Sequence, residues 1–359
     1  MKRLAVNTGG GDAPGLNAVI RAIVLSSVNR GWEVYGIRRG YDGLFTEGGI
    51  MPLDRHAVRG ITHIGGTILG TTNRGSPLET PVKQPDGTVA LVDRSPEIMA
   101  AFKDHGFDGL IAIGGDGSLR IAAHLHARGM PVIGVPKTID NDLSATQVTF
   151  GFGTAVETAT DALDKLHSTA EAHNRVMVVE LMGRHTGWIA VHAGIAGTAD
   201  VILIPEIPYE IERVCAKIED RWKQGREFAI VVAAEGAYER GGQPAYIEKA
   251  KPGGNARYGG VAERLAQQIA ELTGKETRSL VLGHLQRGGA PTAEDRLLAL
   301  RFGAAAVELA AKGSWGCMVA LDPPDVKAVP LKDALQLKVV PIDGDLVRTA
   351  RAFGVSFGD

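Results

Sequence analysis

Short apolar runs rich in Val, Ile and Leu have the length of buried strands, and stretches with helical spacing follow them. In the first half, the apolar runs lie at 4–8, 32–37, 109–115 and 131–136, and the helical stretches lie at 17–31 and 121–129. Strands that are apolar at consecutive positions are typical of a parallel sheet covered by helices on both faces. The pattern therefore predicts an α/β fold.

The second half repeats this alternation. Apolar runs lie at 175–183, 201–206 and 227–236, and a helix at 261–274, a strand at 277–289 and a helix at 294–313 are predicted after them. Between them, residues 237–260 are rich in glycine and charge, which predicts a long loop or insertion. We expect two doubly wound parallel-sheet domains with the active site in the cleft between them.

Composition narrows the function class. The chain has 359 residues, 44% of them hydrophobic and 22% charged, with a net charge of -2. This balance is typical of a soluble protein and does not favour a nucleic-acid or membrane partner. No segment has the ~18 apolar residues that a membrane span requires, so we expect a cytoplasmic protein.

Two glycine-rich stretches follow predicted strands. They are TGGGDAPGLN (8–17) and GGDGS (114–118). Glycines at the start of a helix let backbone N–H groups approach a phosphate, and Asp116 is well placed to hold Mg²⁺. Either loop alone could be a tight turn, but two loops that each carry an aspartate favour a phosphate site. Neither has the Walker A or the dinucleotide-binding spacing.

A third strand ends in GVPKTIDND (134–142), which places a cation beside carboxylates. Phosphoryl transfer needs a carboxylate to deprotonate the acceptor hydroxyl and cations to offset charge on the transferring group. Asp140 fits the base and Lys137 fits a cation. The alternative for Asp140 and Asp142 is an Asx-turn or a helix cap, and Asn141 and Asp142 fit that alternative.

Five motifs in order resemble those of the phosphofructokinases and span residues 3 to about 310. They are GGDAPGLNAVIR (10–21), GGDGS, PKTIDND, MGRHTGW (182–188) and GHLQRGG (283–289). The resemblance implies transfer of a phosphoryl group from ATP to O1 of fructose 6-phosphate, with Mg²⁺ as the cofactor, in a homodimer or homotetramer. It also implies a donor-nucleotide domain at 1–138 plus about 258–305, and a sugar-phosphate domain at 139–257 plus about 306–359.

The resemblance assigns site residues by motif. The donor site is Gly11, Arg74, Gly114, Gly115, Asp116, Gly117 and Ser118, with Asp116 as the metal ligand. The catalytic set is Lys137, Thr138, Asp140 and Arg184. The sugar-phosphate site is Thr138, Ile139, Asp140, Arg175, Met182, Gly183, Arg184, Glu235, Arg278, His284, Leu285, Gln286 and Arg287.

Several of these residues have a specific implied role. Arg184 neutralises the transferring phosphoryl group, and Glu235 contacts sugar hydroxyls. The 6-phosphate clamp includes Arg175 and Arg278, which the family brings from a neighbouring subunit. Guanidinium groups suit this task because their paired N–H donors match phosphate oxygens.

The donor is the point where the motifs diverge. Gly117 is typical of ATP users, because a carboxylate there would crowd and repel an α-phosphate, whereas Lys137 is typical of pyrophosphate users. We expect ATP, with pyrophosphate as the alternative. The stretch GGTILGTTNRG (65–75) departs from the common bacterial form, because it is one residue longer before Arg74.

Two further interpretations remain open. One is another kinase with a GGDG motif, of the NAD or diacylglycerol kinase superfamily, in which the MGR and GHLQR motifs are absent. The other is a non-catalytic nucleotide-binding subunit, which would require loss of the carboxylate at Asp140. Sedoheptulose 7-phosphate stays open as a second acceptor.

Overall fold

The computed structural model describes residues 2–72, 75–248 and 257–359. Within them, the strands are β1 (Arg3–Thr8), β2 (Glu33–Ile37), β3 (Ile50–Leu53), β4 (Thr80–Lys83), β5 (Val89–Val92), β6 (Gly109–Gly114), β7 (Val132–Pro136), β8 (Val176–Leu181), β9 (Val201–Leu203), β10 (Ala229–Ala234), β11 (Tyr246–Glu248), β12 (Arg257–Tyr258), β13 (Thr277–Val281), β14 (Cys317–Asp322) and β15 (Asp325–Pro330). The α-helices are α1 (Leu16–Val28), α2 (Ser95–Asp104), α3 (Asp116–Ala127), α4 (Phe152–His173), α5 (Trp188–Ala196), α6 (Ile211–Lys223), α7 (Val261–Thr273), α8 (Ala293–Lys312) and α9 (Asp345–Ala352).

The first sheet has the strand order β15-β14-β7-β6-β1-β2-β3. Its central pairings are parallel, and the edge strands β3 and β15 pair antiparallel to their neighbours. Helices α1 and α8 cover one face, and α2 and α3 cover the other. Because both faces are covered, β6 and β7 are buried at every position, as their continuous apolar runs predict.

The second sheet is parallel and has the order β13-β8-β10-β9. Helices α4, α5 and α9 pack on one face, and α6 and α7 pack on the other. The two-sheet α/β architecture expected from the sequence is therefore confirmed. In the described part of the chain, no helix is both long and apolar enough to cross a membrane.

The sheets divide the chain differently from the expected domain boundaries. Strand β13 lies in the segment 258–305, which was assigned to the first domain, but it pairs with β8 of the second sheet. Strand β14 lies in the segment 306–359, which was assigned to the second domain, but it pairs with β7 of the first. The chain therefore crosses between the domains at later positions than expected: it returns to the first domain after β13 and reaches the second domain again between β15 and α9.

Other boundaries also differ in detail. The strand predicted at 277–289 ends at Val281, and a short 3-10 helix, Gly283–Arg287, follows it. The hairpins β4–β5 and β11–β12 were not predicted. The second hairpin lies inside the expected 237–260 insertion, of which 249–256 lie outside the described residues.

A buried carboxylate joins the two domains. Asp295 of α8 accepts hydrogen bonds from the backbone N–H of Thr154 at 2.7 Å and from its hydroxyl at 2.6 Å. Thr154 lies in the first turn of α4, whose N-cap residue, Gly151, has no side chain to satisfy the free N–H groups. Asp295 therefore caps α4 from another domain and fixes the two helices relative to each other.

We predict that Asp295→Ala lowers the free energy of unfolding by about 2 to 4 kcal/mol, because it leaves two buried donors of Thr154 without an acceptor. Chemical denaturation measures the change. Glu294→Ala is the matched control, because Glu294 is exposed in the same helical turn and should change stability by no more than about 0.5 kcal/mol. Equal stability of the two variants would contradict the capping role.

Candidate active site

Loops at the carboxyl ends of strands from both sheets meet at one cleft. The first sheet contributes the loops after β1, β6 and β7, and the second contributes the segments after β8, β10 and β13. The carboxyl ends of parallel strands are where α/β proteins place their ligands, because helix N-termini point there. The cleft is therefore the natural binding site of the molecule.

The loop after β1 touches the second sheet directly. Arg287, at the end of the 3-10 helix after β13, donates from Nη1 to the backbone oxygen of Asp12 at 3.1 Å. A Cβ atom on Gly11 would lie 2.8 Å from the same Nη1 atom. A side chain on Gly11 would therefore displace the guanidinium of Arg287 from its present position.

The loop after β6 opens α3. Gly115 is the N-cap residue, and Asp116 begins the helix and pairs with Arg120 at 3.0 Å. The hydroxyl of Ser118 would lie 2.5 Å from a Cβ atom on either Gly9 or Gly114, so Ser118 packs between the two glycine loops. The expected donor residues of both loops thus come together.

Gly117 differs from the other glycines of these loops. A Cβ atom added there meets no atom of the described residues within 4 Å, and its φ is not in the left-handed region. Packing therefore does not require glycine at 117. The open space above the first turn of α3 is available to a ligand.

Lys137 lies at the centre of the cleft. Its side chain is 3% exposed, and its ammonium donates to the backbone oxygen of Gly11. Burial, together with the charge of Arg287, lowers the pKa of Lys137 to about 8 against the opposing charges of Asp12 and Asp140. At pH 7 the lysine therefore keeps its proton and supplies a positive charge.

Asp140 follows Lys137 on the same loop. Burial raises the pKa of the Asp140 carboxyl, and the charges of Arg287, Lys137, His185 and Arg184 counteract the rise. Its backbone N–H donates to the hydroxyl of Thr138 at 3.1 Å, which forms a tight turn at the loop. The result is a shielded carboxylate surrounded by cations, which suits a general base.

Two more carboxyls border Asp140. Burial, together with the charges of Asp140 and Glu180, raises the pKa of Glu235, after β10, to about 7. Burial likewise raises the pKa of Asp142 to about 6, together with the charges of Asp140 and Asp116. The Oδ1 atom of Asp142 is buried and has no hydrogen-bond partner among the described residues.

Whether the cleft can bind a magnesium ion depends on its carboxylates. Among the described residues, no group of three or more potential ligands is close enough to hold a metal by itself. Mg²⁺ in kinases usually takes one or two carboxylates and relies on substrate phosphates and water for the rest. Asp116, half-exposed beside the glycine loops, fits that requirement.

Arg184 follows β8 and is held by aromatic rings of the insertion. Its guanidinium lies 5.1 Å from the ring centre of Tyr258, which also packs edge-on against His185 and tilts against Tyr246 at 4.8 Å. Its Nε atom is buried and unpaired among the described residues. No role was expected for Tyr258 or His185, and only the position of His185 inside the MGRHTGW motif could have indicated one.

The structure separates two of the expected phosphate-binding arginines from the cleft. Arg175 precedes β8 and Arg278 lies at the start of β13, whereas the cleft lies past the opposite ends of these strands. Six residues of β8 span roughly 20 Å. Both arginines share one partner, Glu276 Oε1, at 2.8 and 2.7 Å respectively. They therefore do not reach the cleft of their own chain.

Some expected contacts cannot come from side chains. Ile139 is fully buried, and Met182 is 8% exposed; both belong to the apolar core under the second sheet. Gln286 is buried, and its amide donates back to Gly283. Gly183 has φ 143°, and a Cβ there would lie 2.7 Å from the oxygen of Thr186. These residues shape the cleft through their backbone.

The remaining expected residues fall into two groups. His284 and Leu285 are exposed on the 3-10 helix, with 69% of Leu285 accessible, so they are available to a ligand or a neighbouring molecule. Arg74 lies outside the described residues, as does Asn73. Its expected donor contact stays a prediction.

A cleft with two glycine loops, buried cations and a shielded carboxylate is the site of an enzyme that acts on phosphorylated small molecules. The family model described as phosphofructokinase matches residues 3–310. An ATP-dependent 6-phosphofructokinase of Chloroflexus aurantiacus is 53% identical over 361 residues, covering 100% of this chain and 98% of that protein. The chain belongs to the phosphofructokinase family.

Two further relatives are informative. A pyrophosphate--fructose 6-phosphate 1-phosphotransferase of Amycolatopsis methanolica is 50% identical, covering 94% of this chain and 96% of that protein. The structure of Pichia pastoris phosphofructokinase in the T-state superposes with a TM-score of 0.79 and 31% identity; the match covers 93% of this chain but 35% of that longer one. Similar relatives thus carry names with different phosphoryl donors.

Proposed function

We propose that the chain is an ATP-dependent 6-phosphofructokinase of glycolysis, which transfers the γ-phosphoryl group of ATP to O1 of fructose 6-phosphate and yields fructose 1,6-bisphosphate and ADP. The observation that carries the proposal is Asp140, a shielded carboxylate among the charges of Lys137, Arg184 and Arg287 at the meeting point of the two sheets. The family and the name of the 53% identical relative support it. A cytoplasmic location follows from that activity.

The arrangement supports a direct transfer. Asp140 accepts the proton of the O1 hydroxyl while that oxygen forms a bond to the γ-phosphorus and the bond to the β,γ-bridging oxygen breaks. Lys137 and Arg184 offset the negative charge of the phosphoryl group during transfer. Mg²⁺, with Asp116 as its protein ligand, would supply a charge shared by the donor phosphates.

We predict that Asp140→Asn lowers kcat on the order of 10²-fold or more with both substrates still bound, because the amide cannot accept the proton. A coupled assay with fructose 6-phosphate and ATP measures turnover, and calorimetry measures binding. Asp164→Asn, an exposed carboxylate on α4, is the control and should leave both unchanged. Near-normal turnover of the Asp140 variant would remove this residue from the base role; a wild type that phosphorylates no fructose 6-phosphate would overturn the function itself.

The choice of donor rests on position 117. A nucleotide needs room for an α-phosphate that pyrophosphate lacks, and the open space at Gly117 supplies it. The second candidate is pyrophosphate, which the buried ammonium of Lys137 and the 50% identical relative favour. We infer ATP, because an absent side chain is required for the nucleotide, whereas an added cation serves either donor.

We predict that Gly117→Asp lowers kcat/KM for ATP by 10²-fold or more and lowers it less for pyrophosphate. Like charges ~4 Å apart cost about 4 kcal/mol at an effective dielectric constant of 20. Gly117→Asn is the matched control, because it adds the same bulk without charge and isolates the steric part. Both donors are compared at fixed Mg²⁺. A wild type that uses pyrophosphate and ignores ATP would reverse the donor assignment and leave the acceptor chemistry intact.

The acceptor phosphate requires a second subunit in this proposal. Arg175 and Arg278 lie at the opposite ends of their strands from the cleft and are paired together through Glu276. We infer that they complete the fructose 6-phosphate site of a neighbouring copy, in a homodimer or homotetramer. Within the same chain, His284 and Arg287 remain as the local side chains for contact with that phosphate.

We predict that Arg175→Ala subunits mixed with Asp140→Asn subunits regain activity at low fructose 6-phosphate. In a mixed pair, one site carries both defects and the other carries neither. A mixture of Arg184→Ala with Asp140→Asn is the control, because both residues belong to the same chain's cleft and every site keeps one defect. Equal activity in the two mixtures after subunit exchange would show that Arg175 serves its own chain.

A further inference from the structure

A segment near the C-terminus lies along the catalytic loop. Residues 336–338 run antiparallel to 142–144: the N–H of Lys338 donates to the oxygen of Asp142 at 2.8 Å, and the N–H of Ser144 donates to the oxygen of Gln336 at 3.2 Å. The indole N–H of Trp188 donates to the oxygen of Lys338 at 2.8 Å. The segment is thus fixed to the loop on one side and to α5 on the other.

The side chain of Lys338 enters the loop itself. Its ammonium donates to Asn141 Oδ1 at 2.8 Å, to the oxygen of Thr146 at 3.1 Å and to the oxygen of Gln147 at 3.0 Å. A lysine has three N–H donors, so all of them are used. The three acceptors lie on both arms of the loop 141–147, and Lys338 therefore closes it.

Asn141 transmits this contact to the catalytic residue. It directly follows Asp140, is 5% exposed and has φ 49°, a left-handed conformation that asparagine tolerates better than most residues. Its Oδ1 atom also accepts from the N–H of Thr149 at 3.2 Å, and the Thr149 hydroxyl donates to the oxygen of Thr138 at 2.7 Å. The residues on both sides of Asp140 are therefore held by one network.

Stability alone does not account for a lysine at this position. Burial lowers the pKa of Lys338 to about 8, and the charge of Asp142 opposes the change. An apolar residue of similar volume would avoid the desolvation of the ammonium, and such replacements are often neutral or stabilising. What an apolar residue cannot do is hold three acceptors of one loop in fixed positions.

We propose that Lys338 is a positioning residue of the phosphoryl transfer: through Asn141 and the loop carbonyls it holds Asp140 at the orientation required for proton abstraction. The inference rests on the proposed function only for its kinetic part, since the holding of the loop is a property of the free protein. The C-terminal segment, in which no site residue was expected, then becomes part of the active centre.

The test compares Lys338→Met, which keeps the length of the side chain and removes the donors, with Lys332→Met, an exposed lysine in the same C-terminal segment. We expect Lys338→Met to lower kcat by 10-fold or more with the KM for both substrates changed less than threefold, because small displacements of a base are costly in rate. Lys332→Met should match the wild type. An unchanged kcat in folded Lys338→Met overturns the proposal.

A second variant removes the other end of the contact. Asn141→Gly deletes Oδ1 without straining the left-handed backbone, and it stands in for Lys338→Met if that variant does not fold. If both residues act through one contact, the double variant loses no more than about threefold beyond the worse single variant. Losses that multiply would show independent roles and contradict the proposed route through Asn141.

Hydrogen exchange gives a readout without substrate. Backbone amides of 140–149 should exchange at least 10-fold faster in Lys338→Met than in wild type, while β8 and β10 stay protected. Unchanged exchange in the loop overturns the proposal whatever the enzyme's substrate proves to be. Faster exchange in a protein that does not phosphorylate fructose 6-phosphate would retain the loop-holding role and reject the proposed function instead.

Discussion

The buried ammonium of Lys137 is the interaction on which the site depends. Its side chain binds the oxygen of Gly11 after β1, and its backbone N–H binds the oxygen of Gly114 at the end of β6. One residue therefore fixes the relative positions of three neighbouring strand ends. A buried cation is costly unless charges surround it, and the carboxylates of Asp12 and Asp140 supply them. The position of Asp140, the proposed base, and the positions of the two glycine loops are consequently determined together.

Glycines that look alike in the sequence lack a side chain for different physical reasons in the fold. Gly11 leaves room for the guanidinium of Arg287, and Gly9 and Gly114 leave room for the hydroxyl of Ser118. Gly117 has open space and a backbone conformation that any residue adopts, so packing does not explain its lack of a side chain. A sequence pattern records that glycine is present, but the contact that excludes a side chain is visible only in three dimensions.

The sequence predicts those parts of the molecule that local patterns encode. Strands β1, β6 and β7 are continuous apolar runs, and the loops after them carry the charged motifs, so their meeting at one cleft follows from parallel topology. The exchange of β13 and β14 between the domains depends on pairings with β8 and β7, which no local pattern contains. The contacts of Tyr258 and Lys338 could not be predicted for the same reason. Tyr258 contacts a motif residue about 75 positions away in the chain, and Lys338 contacts one about 200 positions away. For Lys338, the only indication of a buried contact was a single charge within the apolar run LQLKVVP.

The positive charges of the cleft lie close enough to repel each other, and this arrangement suits the binding of a polyanion. Lys137 and Arg287 both bind carbonyls of the loop 11–12, and the charge of Arg287 lowers the pKa of Lys137. A phosphate that enters between them would relieve this repulsion and raise the pKa of the lysine again, because an opposite charge favours the protonated form. The same phosphate also raises the pKa of the Asp140 carboxyl, because its negative charge disfavours the carboxylate. The carboxylate thereby becomes a stronger base. Arg287, Lys137 and Arg184 counteract the rise that burial causes in the pKa of Asp140, and a bound phosphate would weaken this effect by attracting the same cations. The cations and the base therefore form one electrostatic unit, in which no member can be exchanged without changing the others.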